Sequence, residues 1–291
     1  MPLNALGEPI SVGADVKKAS VTTEYVAEAY GDALVELAAS HPEMVVLDAD
    51  LAADCRVRKF ELAYPDRFIE NGIAEQDMVS MAGGLARHGL LPVVNSFASF
   101  LASRANEQIY NNASERTKII YACHYAGVIP AGPGKSHQSL RDISLFGALP
   151  NCLIIQPSNA AETKVAVRYC VETAKENCVM RMNISPSPRI IQLPNNYTFA
   201  LGKGVTLTEG NDAILFAYGP VMLNEALLAA ELLSEKNFKL QVVNMPWLNR
   251  FDTEWLRDIT KDHATIYTLD DHAPVGGLGD GLLNALVSNN L

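Results

Sequence analysis

Three segments of the chain combine groups that can move protons with groups that can hold a flat ring. Glu75 follows a glycine turn in the segment Asn-Gly-Ile-Ala-Glu-Gln, and His137 follows a loop rich in glycine and proline. Phe97 and Phe100 lie three residues apart. A carboxyl group and an imidazole can act as acid and base, and aromatic rings can stack on a planar ligand. Each segment alone also fits a structural role, such as a carboxylate at a helix dipole or aromatic rings in a core.

The apolar pattern predicts the elements that position these segments. Short apolar runs alternate with amphipathic stretches, which predicts an α/β fold with a parallel sheet. Ligands of such sheets bind beyond the carboxyl ends of the strands, where the turns before Glu75 and His137 fall. Strands are predicted at residues 44–48, 67–71, 91–96, 118–124, 152–156, 178–182, 213–217, 240–244 and 265–269. Helices are predicted at about 22–40, capped by Thr22 or Thr23, and at 75–88, 98–112, 139–148, 159–175, 221–236, 253–261 and after 281.

The 291 residues predict two α/β domains. Residues 1–20 lack periodicity and are predicted to be an N-terminal arm. Pro186, Pro188 and Pro194 indicate a linker. We therefore place the boundary near residue 190, which gives a first domain of 21–190 and a smaller second domain of 191–291.

Composition excludes several classes of function. The chain carries 33 acidic and 23 basic residues, a net charge of −10, which is unfavourable for binding nucleic acid. No polybasic run favours a membrane surface, and no apolar run approaches the roughly 20 residues of a membrane span. Residues 1–20 have no apolar signal core, and the five cysteines form no C-x-x-C pair. These features predict a cytoplasmic protein with reduced thiols.

The order and spacing of the segments resemble the pyrimidine-binding half of thiamine diphosphate enzymes of the transketolase and deoxyxylulose-phosphate synthase family. The resemblance covers roughly residues 20–291. It implies a parallel-sheet pyrimidine-binding domain followed by a second, smaller α/β transketolase C-terminal domain. The matching segments are Ala-Asp-Leu at 49–51, Pro-Asp-Arg-Phe at 65–68, Gly-Ile-Ala-Glu-Gln at 72–76, Ala-Gly-Gly-Leu-Ala at 82–86, Ser96-Phe97 with Phe100, Ser-His-Gln at 136–138, Leu-Pro-Asn at 149–151, Gln-Pro-Ser at 156–158 and Gly-Gly-x-Gly at 276–279.

The resemblance assigns roles to the cofactor-binding residues. Glu75 matches the glutamate that hydrogen-bonds the aminopyrimidine ring nitrogen and favours the imino tautomer, which removes the thiazolium proton. Phe97 and Phe100 match the aromatic residues that flank the pyrimidine. Asp50 and Leu51 match positions that line the cofactor.

The resemblance also assigns two histidines to the substrate. His137 matches a histidine that contacts the carbonyl and hydroxyl groups of the donor sugar. His124 matches, less closely, a second histidine on the substrate side. The implied reaction transfers a two-carbon ketol unit from a ketose donor to an aldehyde acceptor.

One family motif is absent from its usual place. Full-length members begin with a domain in which Gly-Asp-Gly and a later asparagine hold the metal and the diphosphate. The only Gly-Asp-Gly here is at 279–281, and Asn284 follows after three residues. The chain therefore resembles the small subunit of a split transketolase and is expected to hold no metal. A large partner subunit would supply the diphosphate site and Mg²⁺ or Ca²⁺, in a heterotetramer of two large and two small subunits.

Two other classes stay open at this point. The beta subunit of a two-oxo-acid dehydrogenase shares the architecture and a glutamate, but it serves a lipoyl domain. The Ser-His-Gln segment and the sequence around Glu75 favour the transketolase class. A non-catalytic scaffold subunit is the third possibility, and the intact Glu75 argues against it.

Three positions differ from the family where it binds a sugar phosphate. Asp54 replaces a serine, an arginine is missing at 183–185, and Pro133 replaces an acidic residue. A carboxylate repels phosphate, and each lost charge-assisted hydrogen bond costs roughly 1.5–3 kcal/mol. The sequence therefore predicts a substrate other than an ordinary sugar phosphate, in a specialised biosynthetic pathway. The alternative is that the partner chain or another cation of this chain replaces the contacts: Arg56, Arg58, Lys135 or Arg181.

Overall fold

A computed structural model describes residues 22–291, so the predicted arm at 1–20 lies outside the described residues. The first half of the chain forms a parallel sheet whose strands run in the spatial order β2-β1-β3-β4-β6-β5. Every strand of this sheet except β2 is entirely buried, as expected for a parallel sheet covered on both faces. The strands are β1 (Met44–Asp48), β2 (Phe68–Glu70), β3 (Leu91–Phe97), β4 (Ile120–His124), β5 (Cys152–Ile155) and β6 (Asn177–Met182).

Helices cover both faces of this sheet. The helix α1 packs against α7 and α2, whereas α3 packs against β3 and α5. Nearly every apolar side chain of α1 is buried, which anchors the helix to the sheet. The helices are α1 (Val26–Ala38), α2 (Arg58–Ala63), α3 (Glu75–Arg87), α4 (Ala98–Arg104), α5 (Asn106–Ser114), α6 (Asp142–Gly147) and α7 (Ala160–Arg168), which a π-helical turn, Tyr169–Thr173, continues.

The second half forms a smaller sheet in the order β10-β8-β9-β7. Strands β8, β9 and β10 are parallel, and β7 is antiparallel to β9. The structure thus confirms the predicted α/β fold, with a smaller second unit after a larger first one. The elements are β7 (Val205–Thr208), β8 (Ala213–Ala217), α8 (Gly219–Ser234), β9 (Leu240–Asn244), α9 (Thr253–Thr260), β10 (Ile266–Thr268) and α10 (Leu278–Ser288).

The predicted boundaries agree best for fully buried strands. The predicted strands at 44–48, 213–217 and 240–244 match the structure, whereas the half-buried strand β7 and the short helix α2 were missed. The predicted helix at 98–112 is two helices that meet at Ala105. The predicted cap was also wrong, because α1 begins after Tyr25. The Thr22 hydroxyl instead donates to the Ser187 carbonyl oxygen at 2.7 Å.

A buried polar network connects the two sheets. Arg181, on β6, is completely buried, and its guanidinium donates to both carboxylate oxygens of Asp142 at 2.5 and 3.1 Å. It also donates to the Gln156 side chain and to the carbonyl oxygen of Asp271, which follows β10. The Tyr218 hydroxyl accepts from the Asp271 backbone at 2.9 Å. Arg181 is therefore part of the contact between the halves of the chain.

Among residues 22–291, no helix is both long enough and apolar enough to cross a bilayer.

Candidate active site

The topology creates a crevice between β1 and β3. After β1 the chain adds β2 on one side, and it then returns to place β3 on the other side of β1. Such a change of direction opens a gap beyond the carboxyl ends of the two strands, which is the usual ligand site of parallel sheets. Asp50 and Leu51 follow β1, Glu75 follows β2, and Phe97 ends β3. The fold thus brings together four of the residues that the sequence indicated.

Two carboxylates shape the turns at this crevice. Asp48 accepts a hydrogen bond from the Leu51 amide at 2.7 Å. Glu70 accepts from the amides of Asp50 and Gly72 at 2.9 and 2.7 Å. These bonds hold Asp50 and Gly72 in the left-handed region, with φ of 60° and 66°. Burial, and to a lesser extent the neighbouring Glu70, raises the pKa of Asp48 to about 7.

Glu75 is the first residue of α3 and is almost completely buried, with 4% of its side chain exposed. The helix N-terminus favours a carboxylate at this position. Arg104, the last residue of α4, donates from Nη1 to Oε1 of Glu75 at 2.8 Å. The guanidinium carbon of Arg104 also lies 3.9 Å from the centre of the Phe100 ring, as in a cation–π contact.

Three rings line the same cavity as Glu75. The ring centres of Phe97 and Phe100 are 5.4 Å apart and their planes are tilted by 40°. The His137 imidazole lies 5.7 Å from Phe97 and 5.2 Å from Phe100. Its Nδ1 lies 2.9 Å from the Ser136 hydroxyl, which orients the imidazole. His137 therefore lies beside the aromatic pair.

These groups enclose a cavity of about 380 Å³. The aromatic faces suit the faces of an aminopyrimidine ring, and the Glu75 carboxyl group suits a ring nitrogen. The donor set of the cavity thus fits the pyrimidine half of thiamine diphosphate. The cavity is lined by Ala49, Asp50, Leu51, Ile73, Glu75, Phe97, Phe100, Arg104 and His137.

The structure does not bring His124 to this cavity. His124 is completely buried at the end of β4, and its ring packs edge-on against Tyr30 at 5.2 Å. Neither ring nitrogen has a hydrogen-bond partner among the described residues. Burial disfavours the imidazolium and lowers the pKa of His124 to about 3. This environment is that of a neutral core histidine.

The described residues contain no group of three or more His, Cys, Asp or Glu side chains arranged to hold a metal ion. Gly279 and Asp280 lie in the first turn of α10, and the Asp280 carboxylate accepts from the Gly276 amide at 2.7 Å. The Gly-Asp-Gly segment of this chain thus stabilises the start of a helix.

The four cations that could replace the missing phosphate contacts, according to the sequence analysis, differ in their environments. Arg181 is occupied by Asp142 in the buried network. Arg56 lies 3.3 Å from Glu28, and Arg58 lies 2.5 Å from Glu61. Lys135 instead lines a second cavity of about 390 Å³, together with Arg104, Arg141 and several serines. Of the four candidates, Lys135 is the cation that faces open space next to the predicted site.

Sequence reasoning missed Arg104. The signal was present, because residues four apart on a helix lie on the same face, and Arg104 is four residues after Phe100. The helix break at Ala105 makes Arg104 the end of its helix, where the side chain can turn toward Glu75. That break was not predicted, so the proximity of Arg104 to Glu75 was not apparent.

Fold and site together define a domain whose cavity, at the switch point of a parallel sheet, suits a pyrimidine ring. The family model for the transketolase pyrimidine-binding domain matches residues 25–185, and that for the transketolase C-terminal domain matches residues 202–291. The chain belongs to the transketolase family, whose members are thiamine diphosphate-dependent transferases.

Similar proteins include both short and long chains. A putative transketolase C-terminal section of Methanocaldococcus jannaschii is 34% identical over 90% of this chain and 82% of its own length. The deoxyxylulose-phosphate synthase of Microcystis aeruginosa and transketolase-like protein 2 of mouse are 30% and 33% identical. This chain spans about two fifths (41%) of the length of each of these two. A solved structure described as a split gene transketolase, inactive beta4 tetramer, is 34% identical with a TM-score of 0.81, and the match covers 91% of this chain and 85% of that one.

The raised pKa of Asp48 predicts a dependence of stability on pH. Its folded-state pKa of about 7 exceeds the ordinary value of 3.8, so the folded state binds more protons between these pH values, and stability falls as pH rises through that range. Asp48→Asn cannot ionise. We expect its free energy of unfolding, relative to the wild type, to rise by at least about 1 kcal/mol between about pH 5 and pH 8, as urea titration would measure. Asp66→Asn, at an exposed position, is the control, and a difference that does not change with pH would contradict the prediction.

Proposed function

We propose that this chain is the small subunit of a split transketolase, which transfers a two-carbon ketol unit from a ketose donor to an aldehyde acceptor. The observation that carries the proposal is the buried Glu75 at a cavity walled by Phe97 and Phe100. A non-catalytic scaffold would not require a buried carboxylate at such a cavity. Burying a charge without function costs free energy.

The proposal requires a partner subunit. The described residues offer a pyrimidine pocket but no metal-binding cluster, and full-length relatives are more than twice as long as this chain. We propose that a large subunit holds the diphosphate and Mg²⁺, and that two large and two small subunits form a heterotetramer, since such sites form across twofold interfaces. The similar split-gene chain is described as an inactive tetramer of beta subunits, which supports a need for a second type of chain.

The residues of this chain would hold and orient the ring. Glu75 would share a proton with the pyrimidine ring nitrogen, while Phe97 and Phe100 exclude water from its faces. Asp50 and Leu51 line the cavity at the end of β1. Thiamine diphosphate, when bound, supplies a carbanion at its thiazolium ring. We propose that His137 hydrogen-bonds the oxygen atoms of the donor sugar.

The substrate of this site is a further part of the proposal. Arg181 cannot reach a ligand because its guanidinium is bonded to Asp142, and Asp54 is an exposed acid. Two of the usual phosphate contacts are therefore missing from the described part of this chain, while Lys135 is accessible beside His137. We propose a substrate other than an ordinary sugar phosphate, as expected in a specialised biosynthetic pathway.

Glu75→Gln tests the proposed role of the carboxyl group. The amide keeps the size of the side chain and can still accept from Arg104, so the fold should persist, but it cannot transfer a proton. In the complex with the large subunit, we expect hydrogen–deuterium exchange at the thiazolium carbon to fall by at least about 10²-fold. Glu254→Gln is the matched control, because Glu254 also lies in the first turn of a helix and is exposed. Unchanged exchange in Glu75→Gln would mean that Glu75 transfers no proton and only stabilises the N-terminus of its helix.

The substrate proposal predicts a weak preference for phosphate. We expect kcat/KM of the reconstituted complex to differ little between phosphorylated and unphosphorylated ketoses and aldehydes. A preference for the phosphorylated forms above about 10³-fold, the effect of two intact charged contacts, would contradict it. Turnover of pyruvate with an artificial electron acceptor, but not of ketoses, would instead identify a dehydrogenase subunit.

A further inference from the structure

Arg104 makes two contacts at once inside the candidate site. Its Nη1 donates to Oε1 of Glu75 at 2.8 Å, and its guanidinium carbon lies 3.9 Å from the centre of the Phe100 ring. Glu75 is 4% exposed and Arg104 is 48% exposed, so the pair spans from the inside of the site to its surface. The guanidinium is a flat cation with N–H donors in its plane.

The two contacts of Arg104 are the ones that the proposed function assigns to the cofactor. A pyrimidine ring held by this site would stack on the aromatic pair and direct a ring nitrogen at the carboxyl group of Glu75. A flat guanidinium that stacks on Phe100 and donates to Glu75 meets both requirements with protein atoms alone. The ring and the guanidinium therefore compete for the same carboxyl group and the same aromatic surface.

The structure also offers Arg104 another position. Arg104 lines the cavity that contains Glu75 and the neighbouring cavity of about 390 Å³ beside α4. The second cavity is lined by Ser99, Ser103 and Ser136, whose hydroxyl oxygens can accept hydrogen bonds from a guanidinium, and also by the cations Lys135 and Arg141. A rotation of the side chain would move Arg104 from one cavity to the other without movement of α4.

We propose that Arg104 is a positioning residue that occupies the pyrimidine pocket in the unassembled chain and leaves it when the cofactor binds. This inference rests on the proposed function. It means that in the free chain Arg104 takes the contacts with Glu75 and Phe100 that the ring would make. The affinity of this chain for a pyrimidine ring is then reduced by the fraction of molecules in which Arg104 is in place.

A binding experiment on the isolated full-length chain tests the proposal. The probe is the free hydroxymethyl aminopyrimidine, which is the pyrimidine half of thiamine without the thiazolium ring or the diphosphate, and binding is followed by ligand-detected NMR. We expect Arg104→Met, which keeps length but removes the cation, to bind the probe at least about tenfold more tightly than the wild type, a difference of about 1.4 kcal/mol. Adding Glu75→Gln to this variant should abolish the gain.

Arg87→Met is the matched control. Arg87 forms a similar pair with Glu115, at 2.6 Å, but both side chains are more than 60% exposed and lie away from the cavity. We expect this variant to bind the probe like the wild type. Arg104→Lys keeps the charge but loses the flat stack on Phe100, so it should also bind the probe more tightly than the wild type. This variant replaces Arg104→Met in the experiment if Arg104→Met does not fold.

The outcomes separate this inference from the proposed function. Equal or weaker probe binding in both Arg104 variants, including no detectable binding, would overturn the role of Arg104. If hydrogen–deuterium exchange at the thiazolium carbon still depended on Glu75, the proposed function would remain intact. If the wild-type complex showed no such exchange, the proposed function itself would be contradicted.

Discussion

The buried carboxylate of Glu75 is the constraint on which the site depends. A carboxyl group with 4% exposure loses its water, and the fold compensates with a helix N-terminus and the guanidinium of Arg104. Both are available because β1 and β3 are neighbours in the sheet, although β2 and α3 lie between them in the sequence. The same crossing brings Phe97 and Phe100 to the cavity that Glu75 lines. The position of Glu75 thus links the topology of the sheet to the chemistry of the cavity.

The rest of the first domain supports this arrangement. Asp48 and Glu70 hold the turns after β1 and β2, and these turns form one side of the cavity. On strand β6, Arg181 connects the first domain, together with Asp142, to the residues after β10. One buried charge pair, Arg181 with Asp142, therefore serves the packing of the chain, whereas the pair of Glu75 with Arg104 faces the site. Burial and exposure separate the two roles, since Arg181 is fully enclosed and Arg104 is half exposed.

The sequence predicted the parts of the structure that depend on local pattern. Buried strands such as Met44–Asp48 are continuous apolar runs, so their limits could be predicted, and the segment around Glu75 indicated the site through its resemblance to a family. Strand β7 is half buried and pairs only at the edge of its sheet, and its pattern was too weak to predict. His124 and Arg104 depend on tertiary contacts. The burial of His124 against Tyr30, and the approach of Arg104 to Glu75 across 29 positions of sequence, cannot be derived from local spacing.

The proposed function requires that this chain carry half of a cofactor site that a second chain completes. A calorimetric titration of thiamine diphosphate with Mg²⁺ tests this requirement. The titration is made into the isolated chain, and into the same chain mixed with the proposed large subunit that carries Gly-Asp-Gly and the later asparagine. We expect no saturable binding to the isolated chain, and binding of one cofactor per small subunit in the mixture. Tight binding of the cofactor by the isolated chain would contradict it.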